Sequence, residues 1–500
     1  MLTIMSVDQK GPLYTVWSPY QKLTVNADFY NKALRGFNVR VNNVGYMGLL
    51  NLSKDFVNEH FGTIPEAMDA YAVNQYEIPY RLKSDAKEIL IVGSGGGNDV
   101  AGALRNGIAN VDAVEIDPMI YQLGLELHPE KPYADPRVHV TIDDARSFFH
   151  TMAGKKQYDI IIFGLLDSHT LGSSYNNIRL DHYVYTLESL QHAKALLKPG
   201  GVLSLAFEVQ TPWIYSRFHG LLTEVFGRPP IAFSIRSPGQ IFGWGGVIFI
   251  ESLDPPATQA AIQNNALLQQ LLTTNALEPN PAPVKLSTDD WPYLYLEKAG
   301  IPEMYLCIIL SLAVLFVAVS QTTFKQGKSW QWQFFFLGAG FMLLEFQNIT
   351  KSSLLFGATW LVNVYTITAI MIFILLANYL VYKVQSIRPS VVYALLFASV
   401  LAIYLLPLDS LQFDNKIIKG IIVCGIFNIP VLFGSILFIH AFNKTTDKSA
   451  ALASNLFGAS LGGMLESAAF ITGIRALMLA VALLYLGSYL ASRKTLTSRQ

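Results

Sequence analysis

EILIVGSGGGNDVAGALRNGIANVDAVEIDP, Glu88–Pro118, reads as strand, glycine turn, helix, strand. Ile89–Val92 is a short apolar run of the kind that makes a buried parallel strand. Gly93, Gly95, Gly96 and Gly97 follow at once, so the backbone can turn tightly and approach a ligand without intervening Cβ atoms. Asp99–Asn106 is expected as a short helix whose N-terminus faces the turn, and Val111–Ile116 as the next strand, ending on Glu115 and Asp117. An acid there can accept hydrogen bonds from the two hydroxyls of a ribose. The turn and the acid at this spacing point to an adenosine-type cofactor.

The same pattern continues downstream. Val138–Thr141, Ile160–Gly164, Val202–Ala206, Ile231–Ile235 and Val247–Ile250 read as further strands. Helical stretches separate the first five strands and the last two resemble a hairpin, so the expected sheet is mostly parallel with an antiparallel end. Upstream, residues 11–52 alternate apolar and polar with Asn/Gly turns, which predicts a small antiparallel β domain. Phe61–Leu82 looks helical, broken at Pro65 and Pro79. The loop after the fourth strand of the α/β part, Leu165–Ser189, sits where open α/β sheets bind ligands. It carries Asp167 and His169, a pair able to orient and deprotonate an acceptor, whereas His182, Tyr185 and Glu188 read as structural.

Charge and hydropathy divide the chain. Lys and Arg total 36 and so do Asp and Glu, so no basic face invites nucleic acid. The two cysteines lie in apolar runs, which argues against a disulfide framework, and the histidines show no metal-ligand spacing, so no metal is expected. From Ile301 onward seven apolar segments centre near residues 312, 342, 370, 399, 430, 461 and 483. A soluble bundle would show a polar face on every helix, so these read as membrane helices. Glu345 and Glu466 interrupt them, each after small residues that allow close helix contact. They read either as functional intramembrane carboxylates or as buried partners of a base such as Lys351 or Arg475. Asp289 and Asp290, before the first segment, read either as a cation or polyamine site or as a turn ahead of the aromatic Trp291, Tyr293 and Tyr295.

The expected organisation is a β domain at 1–82, a Rossmann-like cofactor domain at 83–254, a linker at 255–300 and about seven transmembrane helices at 301–493. The fold class is thus α/β, a Rossmann-like methyltransferase-type sheet with an N-terminal β-hairpin domain, followed by an all-α transmembrane bundle. Loop charge would place the soluble part outside, because Lys325, Lys328, Lys383, Arg388, Lys444, Lys448, Arg493, Lys494 and Arg499 crowd the opposite side. A nucleotide-type cofactor and an N-terminus without a signal-peptide pattern place it in the cytosol, and that is the expectation adopted.

The motifs Trp17–Val25 (WSPYQKLTV), ILIVGSGGGNDV, VEIDP, Asp135–Phe149 (DPRVHVTIDDARSFF), YDIIIFGLLDS and LLKPGGVLSL occur in an order that resembles the spermidine synthase family of S-adenosylmethionine-type transferases. The fusion to a multispan region through DDWPYLY resembles its membrane-bound bacterial members, which implies an integral protein of the bacterial inner membrane in contact with lipid. The resemblance implies S-adenosylmethionine or its decarboxylated form as cofactor. Gly93, Gly95 and Gly97 would shape the turn against its tail, Glu115 would hold the ribose, Asp144 with Asp143 beside it would read the adenine amino group, and Gln21 would reach in from the β domain. Asp167 matches the second acid of the family's Asp-x-x-Asp segment. The family's β domain often mediates pairing, so the resemblance admits a homodimer.

Two departures bear on the reaction. The family's aminopropyltransferases carry an Asp within the glycine turn, where this chain has Gly96, and the first acid of Asp-x-x-Asp is here Gly164. Glycine cannot take a proton from an attacking amine. The reading is therefore a transferase of methyl or aminopropyl-type groups to an amine or a membrane-associated lipophilic acceptor. A true polyamine aminopropyltransferase with relocated acids stays open, as does a non-catalytic sensor of cofactor or polyamine coupled to a transporter-like membrane part.

Overall fold

The computed structural model describes residues 12–497 apart from 31, 167–181, 236–241, 279–280, 325–329, 358, 385, 407–410 and 412–415. The chain forms two compact units, Met1–Ser287 and Thr288–Gln500.

The first unit begins with an antiparallel meander of β1 (Tyr14–Trp17), β2 (Lys22–Tyr30), β3 (Ala33–Val41) and β4 (Val44–Leu50), in that spatial order. Val41 pairs with Val44, leaving Asn42 and Asn43 as a two-residue turn. Both have positive φ, 49° and 71°, which side-chain amides tolerate and a mirror-image hairpin turn requires. The alternation read in the sequence puts Leu23, Val25, Val39, Val41 and Leu49 on one face, packed against Ile120 and Leu123 of the helix Pro118–Leu127.

The larger sheet comprises β5 (Glu88–Val92), β6 (Asn110–Glu115), β7 (Val138–Ile142), β8 (Tyr158–Phe163), β9 (Leu197–Phe207), β10 (Ile231–Ile235) and β11 (Gly246–Ser252). Its order is β10-β11-β9-β8-β5-β6-β7. The five strands β9, β8, β5, β6 and β7 run parallel, and β11 and β10 close the edge antiparallel. This is the Rossmann-like methyltransferase-type arrangement. Ile89–Val92 are fully buried, as strands covered by helices on both faces must be. β9 starts earlier than the apolar pattern indicates, at Leu197 instead of Val202. A bulge opposite Asp159 absorbs the polar Lys198 and the Pro199–Gly201 turn within it. The strand order reverses between β5 and β8, and a cleft opens there at the carboxyl ends, as expected for this topology.

The expected linker at 255–300 does not behave as one span. Helices Pro255–Gln263 and Ala266–Asn275 pack Ile262 and Leu268 onto Phe233, Ile235, Ile248 and Ile250. Ser287 Oγ donates to the Tyr185 carbonyl (2.6 Å), so the chain stays tied to the first unit up to its last residue.

The second unit is all-helical: Glu303–Phe324, Trp332–Phe356, Trp360–Lys383, Pro389–Leu405, Lys416–Phe427 continuing into Ile429–Lys444, Lys448–Leu465 and Ala476–Thr497, with two short turns before the last. Each apolar segment of the sequence contains a helix. Among the described residues three of them, at Glu303–Gln321, Val362–Lys383 and Ala476–Arg493, are long and apolar enough to cross a membrane, or four with the bent pair Ile418–Phe427 and Ile429–Lys444 taken as one span. The pair bends by 44°, where Pro430 removes an N–H and crowds the preceding turn. Trp332–Phe356 falls short of that apolarity because its second half buries Gln347, Asn348, Thr350, Lys351, Ser352 and Ser353. Glu345 lies half-buried on this helix, and Glu466 opens a short turn after Lys448–Leu465. Small residues allow the two helices to touch: a Cβ on Gly458 would meet the Phe335 carbonyl oxygen at 1.8 Å, and one on Gly462 the Ala339 carbonyl oxygen at 2.4 Å.

Asp290 takes the turn role of the two readings given for it. Its carboxylate accepts from the Arg475 N–H (2.7 Å) and its carbonyl from the Ile474 N–H (2.8 Å), while Trp291 Nε1 donates to the Phe470 carbonyl (2.8 Å). The segment is thereby pinned to the turn ahead of the last helix.

Candidate active site

The cleft at the switch point is floored by the glycine turn and walled by β4, the end of β6 and the start of the helix Ala145–Met152. Gln21, Gly93, Gly95, Glu115, Asp143 and Asp144 all line it. Gly97 does not; with φ +105° it starts the helix Asn98–Arg105, and a Cβ there would strike Pro132 at 2.8 Å. Gly95 has φ +55°, a left-handed conformation that other residues adopt at a cost, and among the described residues Met47 Sδ alone lies within 4 Å of where its Cβ would be. The turn at that point is bare backbone facing the cleft.

Glu115 ends β6 at 6% exposure. One carboxylate oxygen accepts from the Gly95 N–H (2.8 Å), the other from the Asp117 N–H (2.9 Å). Burial pushes its carboxyl up to about 7, against the pull of these N–H groups. Each oxygen retains lone-pair capacity, which suits a vicinal diol donating two hydrogen bonds. Asp117 next to it caps the helix Pro118–Leu127 through the Met119 N–H (2.9 Å) and accepts from Gln21 Nε2 (3.3 Å). Gln21 therefore reaches the cleft from β2's start, held by the neighbour of the acid it accompanies.

Asp144 caps Ala145–Met152, accepting from the Arg146 and Ser147 N–H groups. At 1% exposure it is a rigid wall of the cleft, with Asp143 Oδ1 accepting from its N–H (3.0 Å) and Asp143 Oδ2 facing Ser147 Oγ (3.3 Å). Asp167 and His169 lie outside the described residues. Tyr185 is core: it is fully buried between Phe163, Phe207 and Phe218, as the structural reading held.

Several positioning residues carry no local signal. Asn98 Nδ2 donates to the Gly48 carbonyl (2.7 Å) and its Oδ1 accepts from the Leu50 N–H (3.1 Å), which fastens β4 over the turn. The same Oδ1 accepts from His128 Nε2 (3.0 Å), while His128 Nδ1 accepts from the Glu130 N–H (3.1 Å). Burial drives His128 down to about 3, so the ring is neutral and both roles hold together. Tyr133 Oη donates to the Gly95 carbonyl (2.7 Å) and fixes the turn from below. Gln75 and Trp244 also line the cleft, and Gln75 Oε1 accepts from the Gly245 N–H (3.0 Å).

Residues 68–217 match the family model of the spermine/spermidine synthase domain. The match lies wholly within the first unit. Among solved structures, the chain is similar to spermidine synthase from Thermotoga maritima, at 15% identity and TM-score 0.39 over 54% of this chain and 85% of that one. It is also similar to a probable spermidine synthase from Corynebacterium glutamicum, at 16% identity and TM-score 0.33 over 54% and 96%. Human methyltransferase-like protein 13 in complex with SAH matches at 20% identity and TM-score 0.29 over 44% and 93%. No curated protein sequence matches the chain. The matched span of the synthase domain runs from the helix Pro65–Ala72 to within Pro212–Phe226 and so includes the glycine turn, Glu115 and Asp144.

Proposed function

We propose that the protein is a membrane-bound, spermidine synthase-like transferase that alkylates an amine, or a lipophilic acceptor held near the bilayer, using S-adenosylmethionine or its decarboxylated form. The observation that carries this reading is the pairing of bare backbone at Gly95 with Glu115 across one cleft, inside a spermine/spermidine synthase domain. A bound sulfonium cofactor supplies the alkyl group. The chain's residues supply its seat: Glu115 takes the ribose hydroxyls, Gly93 and Gly95 take the tail, Asp143 and Asp144 take the adenine edge and Gln21 closes over it. Asp167 and His169 serve the acceptor side at the carboxyl end of β8.

Leu49 fills the space beside Gly96, with Cδ2 at 1.9 Å from where a Cβ would stand. No carboxylate at this position opposes the carboxylate of intact S-adenosylmethionine, which favours that form. The helical unit anchors the enzyme in the bacterial inner membrane with the catalytic unit in the cytoplasm. The catalytic unit pairs as a homodimer. The test is incubation of the full-length protein in detergent with each cofactor form and 1,4-diaminobutane or total membrane lipid, read by mass spectrometry. S-adenosylhomocysteine assigns methyl transfer and methylthioadenosine assigns aminopropyl transfer. Formation of neither, with no cofactor bound, would overturn the reading.

A further inference from the structure

Asp99 stands in the first turn of the helix Asn98–Arg105, and its side chain lines the same cleft as the glycine turn. It reaches across to β8. A Cβ placed on Gly164, directly after that strand, would lie 3.2 Å from Asp99 Oδ2 and 3.0 Å from the Gly93 carbonyl oxygen. The carboxylate thus occupies the gap between the carboxyl ends of β5 and β8, where the strand order reverses.

Among the described residues, no fixed cation neutralises it. Arg105, on the same helix, gives its guanidinium to Glu130 (2.8 Å) and Glu77 (2.9 Å). Among the described residues Asp99 has no ion-pair partner. The groups facing it are Tyr76 and Tyr80 from the segment before β5 and Tyr133 from the turn Pro132–Ala134. Burial holds each of these phenols above its ordinary range, so none competes for a proton near neutrality. Burial also pushes the Asp99 carboxyl up to about 7, with Arg105 and its own N–H pulling the other way. A carboxylate with that affinity for protons is matched to general-base work at physiological pH.

We propose that Asp99 is the proton acceptor for a primary amine entering the cleft between β5 and β8. The inference rests on the transferase reading above. The ammonium R–NH3+ gives one proton to Asp99 Oδ2, leaving neutral R–NH2 and a neutral carboxylic acid; the nitrogen lone pair is then free to attack. The position is supplied from the helix side, opposite Gly164 directly after β8.

The test uses the full-length protein in nanodiscs, with three readouts: calorimetric binding of 1,4-diaminobutane without cofactor, calorimetric binding of S-adenosylmethionine, and the pH dependence of transfer. Asp99→Asn is expected to leave cofactor affinity within about threefold, to weaken diamine binding about tenfold or more and to lower transfer roughly 100-fold or more. The fall in rate below pH 7 disappears with it. D99E restores part of the activity, and the pair D99A/G164D restores part by delivering a carboxylate from β8. Unchanged diamine affinity and an unchanged pH limb in D99N would overturn the proposal, as would loss of cofactor binding in that variant. Wild-type protein that alkylates neither an amine nor membrane lipid with either cofactor form overturns the transferase reading instead, and the diamine calorimetry still reads the charge of Asp99.

Discussion

Leu49, at the buried end of β4, lies against Gly96 in the glycine turn, its Cδ2 at 1.9 Å from the place a Cβ on Gly96 would take. The two positions are therefore one packing unit, although nearly fifty residues separate them. Gly96→Asp must displace a fully buried leucine and place a carboxylate among apolar atoms. It is expected to cost about 1–3 kcal/mol from overpacking, visible as a lower Tm of the full-length protein in detergent. Leu49→Ala in the same chain vacates the space, so L49A/G96D is expected to be less destabilised than the sum of the single changes. Strict additivity would show that the two side chains do not share this space.

Glu115 makes cofactor binding depend on pH. Its carboxyl stands near 7 in the free protein, and hydroxyl donors favour the ionised form, so a ribose lowers that value on binding. Binding then releases a proton below pH 7. S-adenosylmethionine affinity is expected to rise with pH and to level off above about 7, with proton release measured by calorimetry in buffers of different ionisation enthalpy. Glu115→Gln keeps the shape but loses charge-assisted bonds worth about 1.5–3 kcal/mol, and it removes its share of the pH slope. For stability the sign runs the other way. The folded form holds the Glu115 proton more tightly than the unfolded chain, so its contribution is full below about 4.5 and is lost as pH rises through about 7.

Arg105 joins three pieces of the first unit. Its guanidinium, 9% exposed, bonds Glu130 through both carboxylate oxygens (2.8 and 2.9 Å) and Glu77 through Nε (3.0 Å). Glu130 in turn accepts from the Leu52 N–H (2.9 Å) just after β4. Arg105→Met leaves two largely buried carboxylates facing each other without their cation. The expected cost is about 3–5 kcal/mol, and R105M/E130Q is expected to recover part of it. Thermal melts of the three proteins decide the matter; an R105M variant as stable as wild type would show the network to be solvated.

The periodicities that identify β5, β6 and the glycine turn are local, and they were legible because a buried parallel strand and a left-handed turn leave few residue choices. Glu115 was legible for the same reason: an acid at the end of the second strand has one obvious place to point. Asn98, Tyr133 and Leu49 were not, because each acts on a partner far along the chain through a geometry that only the packed meander creates. Asp99 was read as lying on the helix side of the turn, which is true of its backbone; the reach of its carboxylate to Gly164 depends on how the helix meets β8. In the helical unit the apolar runs were plain. Their division into spans was less so, since Trp332–Phe356 pairs an apolar half with a polar, buried half.

Helix contact in the second unit rests on the absence of side chains at Gly458 and Gly462. With carbonyl oxygens of Phe335 and Ala339 at 1.8 and 2.4 Å from the Cβ sites, Lys448–Leu465 and Trp332–Phe356 touch backbone to backbone. In lipid such pairs are held by close van der Waals packing, because apolar side chains gain nothing by leaving lipid tails. Gly458→Leu must push the helices apart along their whole contact, with Asn455 Nδ2 losing its bond to the Phe334 carbonyl (3.2 Å). The expected loss is about 1–3 kcal/mol or more, seen as a lower Tm in detergent and faster protease cleavage of the helical unit. Gly463, one position on from Gly462 and with nothing among the described residues within 4 Å of its Cβ site, is the internal control: Gly463→Leu on that open side is expected to leave both readouts unchanged.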